Sequence, residues 1–205
     1  MFPAIAYLAY TLSLATSPEV SAPAPDLSIE PVLLTTLAEQ GGVPNSVFHY
    51  TYGEVGLSLG DLDGIRVAGS YHLQDQWLIV ASLGILEASR VDFTFFSAGA
   101  GYVHNIQEDL DIVATAELEF GRAEVDFLGS SASDSEVGLR LRGGARYMLD
   151  ERFEFYGGGN LRTTFDTDFF VDGGALYRIN DRLQAYASLE VGDDTQFGIG
   201  VRYGF

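Results

Sequence analysis

Three histidines, His49, His72 and His104, are the side chains of this chain best suited to moving a proton near neutral pH. A hydrolase built on them would need each within hydrogen-bond reach of a carboxylate at one rim of a scaffold. The acids Glu117, Glu119 and Glu154 have the type and spacing of an acid–base pair. Arg140, Arg142 and Arg162 fall on neighbouring segments, so ion pairing is the simpler account of them. A third group is purely acidic: Asp61, Asp63, Glu87, Glu124, Asp126, Asp134, Asp166, Asp168, Asp193 and Asp194. Carboxylate oxygens suit Ca²⁺. These lie on separate loops without a twelve-residue EF-hand pattern, and are read as a solvated anionic rim. The absence of Cys excludes disulfides, thiolate metal sites and a Cys nucleophile. Gly143-Gly144 and Gly157-Gly158-Gly159 fall inside alternating segments, where they suit a crowded wall rather than a phosphate loop. The reading at this level is no catalytic residue, no cofactor and no metal.

The elements that would position these groups are strands. Period-two alternation is clearest at the end of the chain, where Phe197, Ile199, Val201, Tyr203 and Phe205 alternate with Gln196, Gly198, Gly200, Arg202 and Gly204. Leu183–Val191, Val137–Ala145 and Leu110–Phe120 repeat the pattern, and no charge falls on the apolar face of any of the four. Turns recur with them. Tyr71–Trp77, Tyr102–Leu110, Tyr147–Phe153 and Tyr177–Leu183 each run from an aromatic through a polar turn with Asp or Asn to an apolar restart. Four such turns at one end, and reversals near Asp61–Asp63, Glu87–Val91, Glu124–Ser135, Phe165–Asp168 and Asp193–Asp194 at the other, predict ten strands. Their expected bounds are about 48–59, 64–72, 76–87, 92–104, 110–122, 136–148, 153–163, 169–179, 183–192 and 195–205. Each is near the about 9–11 residues a tilted strand needs to cross a bilayer.

Alternation alone does not say which face is inside, since a soluble lipid carrier alternates too. Composition favours an apolar exterior. The chain has 205 residues, a formal net charge of −18 and 47% hydrophobic residues, and every one of its 11 basic residues is Arg. That acidic balance argues against a nucleic-acid partner. Both signs of charge crowd onto the polar phase: Arg66, Arg140, Arg142, Arg146, Arg162, Arg178, Arg182 and Arg202 with Glu54, Glu117, Glu119, Glu154, Asp172 and Glu190. Arg is the residue suited to desolvated ion pairs, and lipid-facing Arg costs about 2–4 kcal/mol at the bilayer midplane. The aromatics Tyr71, Tyr102, Tyr147 and Tyr177 stand where a membrane-interface belt belongs. The fold class expected is a ten-stranded antiparallel transmembrane β-barrel with an ion-paired interior, an eight-stranded barrel being the alternative. In this phasing all three histidines fall at the tight-turn rim.

The front of the chain differs. Residues 1–24 carry no charge before Glu19 and reach Val20-Ser21-Ala22, which resembles a secretory signal peptide, although the first basic residue is Arg66. Residues 25–47 read as a linker that either plugs a lumen or lies in solvent, and the barrel occupies 48–205.

The terminal strand, closing on Phe205, resembles the assembly signal of bacterial outer-membrane barrels. Phe197, Ile199, Val201, Tyr203 and Phe205 would carry it. More narrowly, Gly192-Asp193-Asp194-Thr195-Gln196-Phe197 with Gly200-Val201-Arg202-Tyr203-Gly204-Phe205, and the opening Tyr50-Thr51-Tyr52-Gly53-Glu54-Val55-Gly56, resemble the "Ax-type" outer-membrane protein family, once named for a claimed activation of plant immunity. The extra Asp in the Gly192 loop, Phe197 in place of Trp and the leader depart from its pattern. The resemblance implies the fold and the bacterial outer membrane, and brings no catalytic residues. The role expected is structural or surface-interacting, without an open channel; the alternatives are a narrow pore for small solutes or ions, or a surface hydrolase. The partners expected are outer-membrane lipid, lipopolysaccharide and the barrel-assembly machinery, with the protein a monomer.

Overall fold

The computed structural model describes residues 43, 46–88, 91–127 and 130–205. The leader and most of the linker lie outside the described residues. Ten strands run in chain order: β1 (Tyr52–Gly60), β2 (Asp63–Gln74), β3 (Trp77–Ala88), β4 (Val91–Gln107), β5 (Leu110–Phe127), β6 (Ser130–Met148), β7 (Phe153–Arg162), β8 (Asp168–Arg178), β9 (Leu183–Val191) and β10 (Thr195–Gly204). Every neighbour pair is antiparallel and consecutive, and β1 pairs with β10 from Tyr52↔Gly204 to Gly60↔Gln196, so the sheet is a closed barrel.

The alternation sets the two faces. Val55, Leu57, Ile65, Val67, Ile79, Ile85, Leu118, Phe120, Phe169, Val171, Ile199 and Val201 point outward and are exposed, while Glu117, Glu119, Arg146, Glu154 and Asn160 are buried inside. This inversion of the soluble arrangement is what a hydrocarbon solvent selects. A soluble carrier would bury the first set.

The recurrent turns share a chemistry. Leu149 and Asp150 N–H groups donate to the Phe153 carbonyl (2.9 and 3.5 Å), and Asp150 Oδ1 accepts from the N–H groups of Arg152 and Phe153 (2.7 and 2.8 Å). Those two backbone donors hold the Asp150 carboxyl below the usual carboxylate range. The 179–183 turn repeats this geometry with Asn180 Oδ1 accepting from Arg182 and Leu183 (3.0 and 2.9 Å). The residue before each restart then reaches the tyrosine of the following hairpin. Arg152 donates to Tyr177 Oη and Arg182 to Tyr203 Oη (3.4 Å each), and Tyr102 Oη donates to Gln76 Oε1 (2.5 Å). Ring pairs Trp77–Tyr102, Phe153–Tyr177 and Tyr203–Phe205, with centroids 5.1–5.4 Å apart, complete an aromatic girdle at this end. The β5–β6 hairpin runs past its neighbours at the other end, and because the longer hairpins face outward and the tight turns inward, this end is taken as the periplasmic one.

Three expectations are corrected. The first strand begins at Tyr52, not 48, because Phe48 and Tyr50 turn their rings into the lumen and leave the ladder. The reversal expected over Glu124–Ser135 is strand: β5 runs to Phe127 and β6 resumes at Ser130. That stretch is Ser-rich and acidic, so ladder hydrogen bonds sustain it without an apolar period to announce it. Arg182, assigned to the polar inner face, sits in the exposed turn on Tyr203.

Ile199 is in the middle of β10 and 39% exposed on the outer face. Ile199→Arg is expected to destabilise the barrel by about 2–4 kcal/mol, seen as a lower temperature for loss of the SDS-resistant, fast-migrating band.

Candidate functional site

Whatever this molecule does beyond spanning a membrane must pass through its lumen or its rims, and the lumen holds the charge. Strand pairing brings inward guanidiniums beside acids. Arg146 on β6 meets Glu154 on β7, with both Nε and Nη2 2.7 Å from Oε1. Arg202 on β10 meets Glu54 on β1 across the closing seam (Nε 2.9 Å, Nη2 2.8 Å). Arg162 meets Asp168 at 3.1 Å. Arg142 bonds Asp172, whose other oxygen accepts from Asn160 (2.6 Å). Arg66 donates to Gln196 Oε1 and lies 3.6 Å from Glu190.

Aromatic faces cover the same guanidiniums. Arg202 lies 3.9 Å from the Tyr52 ring centroid, Arg146 4.6 Å from Tyr50 and 4.8 Å from Phe48, Arg142 over Tyr156 and Arg66 over Phe95. Arg140 and Arg162, cross-strand partners, share the Phe170 ring at 5.8 and 5.7 Å. A weakly hydrated planar cation tolerates such a setting where an ammonium would not. Room for the rings comes from glycine: a Cβ on Gly56 would stand 2.0 Å from Tyr186 Oη and 2.7 Å from the Ile199 carbonyl.

Not all the expected network forms. Glu117, directly across from Arg140, is held by hydroxyls instead: Ser97 donates at 2.6 Å and Thr115 at 3.0 Å, with Ser82 behind Ser97 at 2.7 Å. Arg140, Glu119 and Arg178 make no ion pair within 4 Å among the described residues. On the inward phase, carboxylates outnumber guanidiniums among the described residues: Glu54, Asp111, Glu117, Glu119, Asp134, Glu136, Glu154, Asp168, Asp172 and Glu190 against Arg66, Arg140, Arg142, Arg146, Arg162, Arg178 and Arg202.

The periplasmic end is closed from within by the segment before β1. Phe48 and Tyr50 are each 2% exposed and pack with Val43, Leu78 and Val103. Asp111, fully buried, receives Tyr50 Oη (2.7 Å), Ser46 Oγ (2.6 Å) and Asn105 Nδ2 (2.8 Å). Burial, with this bond to Asp111, pushes the Tyr50 phenol up, so it stays a neutral donor. Above Tyr50 remains a cavity of about 230 Å³, walled by Arg66, Arg140, Arg142, Arg202, Glu117 and Tyr186 among others. At the opposite end the 163–167 connection folds inward. Thr164 seats over Gly138, and Phe165, at φ 69°, meets Phe93 edge to face (6.5 Å).

A family model for the outer membrane protein beta-barrel domain matches residues 20–205. The chain belongs to that family. This outer-membrane barrel is therefore a protein of the bacterial outer membrane. No curated protein matches it. Similar solved structures include the KdgM porin in complex with disordered oligogalacturonate (14% identity, 75% of this chain and 99% of that one, TM-score 0.48), Neisserial surface protein A (16%, 76% and 96%, 0.43), and Ail, the attachment invasion locus protein of Yersinia pestis (18%, 75% and 94%, 0.37).

The histidines of this barrel sit at the tight-turn rim. His72 Nε2 contacts the Asp75 carbonyl (2.9 Å), and His104 lies four residues from its turn. Desolvation, then the Arg178 and Arg146 guanidiniums, lower the His49 pKa. No group of three or more His, Cys, Asp or Glu forms a metal-holding set among the described residues.

Sequence reasoning missed the Asp111 tether, Gln196 and Asn160 as acceptor and donor within the lumen, and the aromatic faces. It placed Asp168 on a loop instead of on Arg162. The tether was findable: Phe48, Tyr50, Tyr52 and Glu54 share one phase, as do Asp111 and Glu117.

The Arg146–Glu154 pair is the most buried of the ion pairs, its side chains 10% and 3% exposed. Glu154→Ala strands the guanidinium and should cost about 3–5 kcal/mol, measured by urea unfolding in detergent micelles.

Proposed function

We propose that this outer-membrane barrel is sealed at rest and serves a structural or surface-interaction role, without catalysis. The observation that carries the reading is the Phe48–Tyr50 plug, clamped between Arg146 and Asp111 across the periplasmic end of the lumen. The inward 163–167 connection narrows the other end. Against a surface hydrolase stands the position of His49, His72 and His104 at the tight-turn rim, away from the acidic rim opposite. The finer resemblance to the Ax-type proteins rests on the Gly192–Phe205 and Tyr50–Gly56 motifs and agrees with a barrel that does no chemistry. Outer-membrane lipid against the apolar belt, lipopolysaccharide at the outer rim and the barrel-assembly machinery acting on the Phe205-terminated strand are the partners this reading expects, with the protein a monomer.

The test is conductance of the full chain in planar bilayers. A sealed barrel leaves the baseline flat after insertion. Steady ohmic steps would establish the narrow pore instead.

A further inference from the structure

The manner in which the plug is held differs from the manner in which the wall is held. Each wall strand is fixed by backbone ladders on both sides. From Ser46 to Tyr50 the backbone joins no ladder. Its described backbone bonds are local, Ser46 N–H to the Val43 carbonyl (3.0 Å) and Phe48 N–H to Ser46 Oγ (3.1 Å). What attaches it to the barrel is side chains: two rings on Arg146 and against Leu78 and Val103, and two hydroxyls on Asp111. Neither anchor needs the plug to stay in place. Arg146 keeps Glu154, and Asp111 keeps Asn105. The plug can therefore leave without undoing the sheet.

What lies behind it is already partly hollow. Three of the five lumenal ion pairs join adjacent strands (β6–β7, β7–β8 and β10–β1), so they hug the wall. The cavity of about 230 Å³ begins at Tyr50 itself. Displacement would open this space to the periplasm past Asp111, which would lose two of its three donors and face the path. The mouth beyond it carries Glu108, Asp109 and Glu151 against Arg178. The opposite rim is acidic as well, while between the two mouths the cavity sets Arg66, Arg140, Arg142, Arg146 and Arg202 against Glu54, Glu117, Glu154 and Glu190. The acidic mouths attract cations and repel anions, so selectivity is set there and not along the cavity wall.

From these observations we infer that Ser46–Tyr50 is a displaceable plug, and that the barrel conducts small cations when it withdraws. The inference rests on the sealed resting state proposed above.

The experiment compares the full chain with Phe48→Ala/Tyr50→Ala and with Tyr50→Phe in planar bilayers under a tenfold KCl gradient. Losing the phenol–carboxylate bond and the buried rings should raise the open fraction on the order of a hundred-fold in the double variant, with Tyr50→Phe intermediate. The reversal potential should have the sign of K⁺ selectivity, and adding Asp111→Asn to the double variant should reduce it. Heat-modifiable migration on SDS gels identifies folded samples, and Tyr50→Phe, which deletes one hydroxyl, supplies a reading if the double variant fails to fold. Silence of the folded variants, or a Cl⁻-selective reversal potential, overturns the inference while leaving the sealed reading intact. Conductance by the unaltered chain overturns the sealed reading.

Discussion

Hydrocarbon offers no hydrogen-bond partner to a peptide group, so a sheet in lipid must return to its own first strand or leave a row of amides unpaired. The β1–β10 ladder, nine residue pairs long, meets that demand here. Much else follows from closure. The alternating side chains become an outside and an inside with different solvents. Hydrophobic residues that a water-soluble protein would hide are displayed, and charges that it would display are enclosed. The seam also carries its own lumenal contact, since Glu54 and Arg202 are register partners on β1 and β10 as well as an ion pair.

Enclosing charge is costly unless each group is met by something. The lumen does this in more than one way. Some guanidiniums take a carboxylate on a neighbouring strand, and most rest on an aromatic face. Carboxylates left without a cation are turned to hydroxyls and amides, as Glu117 is to Ser97 and Thr115, and Asp111 to Ser46, Tyr50 and Asn105. The exclusive use of Arg among the basic residues is consistent with this crowding, because a planar cation can stack and bond at once.

How much of this could be read in advance varies with the physics. Wherever lipid meets the wall, as along Phe197–Phe205 or Leu110–Phe120, period-two hydrophobicity is obligatory, and both strands and sidedness were legible. Where β5 and β6 continue through Glu124–Ser135, water replaces lipid, the alternation is no longer enforced, and the strand looked like a loop. Partner choice in the lumen was the least legible part. Phase says that Arg142 and Asp172 both point inward. It does not say that Arg142 reaches two strands away to that acid, or that Arg140 faces Glu117 without pairing to it. Those outcomes depend on barrel curvature and on which ring fills the space between, neither of which one strand's pattern contains. The plug was missed for the same reason: Phe48 and Tyr50 were read as the start of the first strand, because their phase was visible and their destination was not.

The lengthened strands at the outer end carry a mechanical implication. Ser130–Leu139 of β6 extends ten residues beyond the level at which β7 ends opposite Arg140, which is roughly 33 Å of chain measured along the strand. All five connections at this end are only two to five residues long, so the part reaching away from the bilayer is ladder, not slack chain. Such a projection, held along its β5 side by a continuous ladder, loses little freedom when something docks against it. Its shape is set when the protein folds, before anything outside the cell touches it.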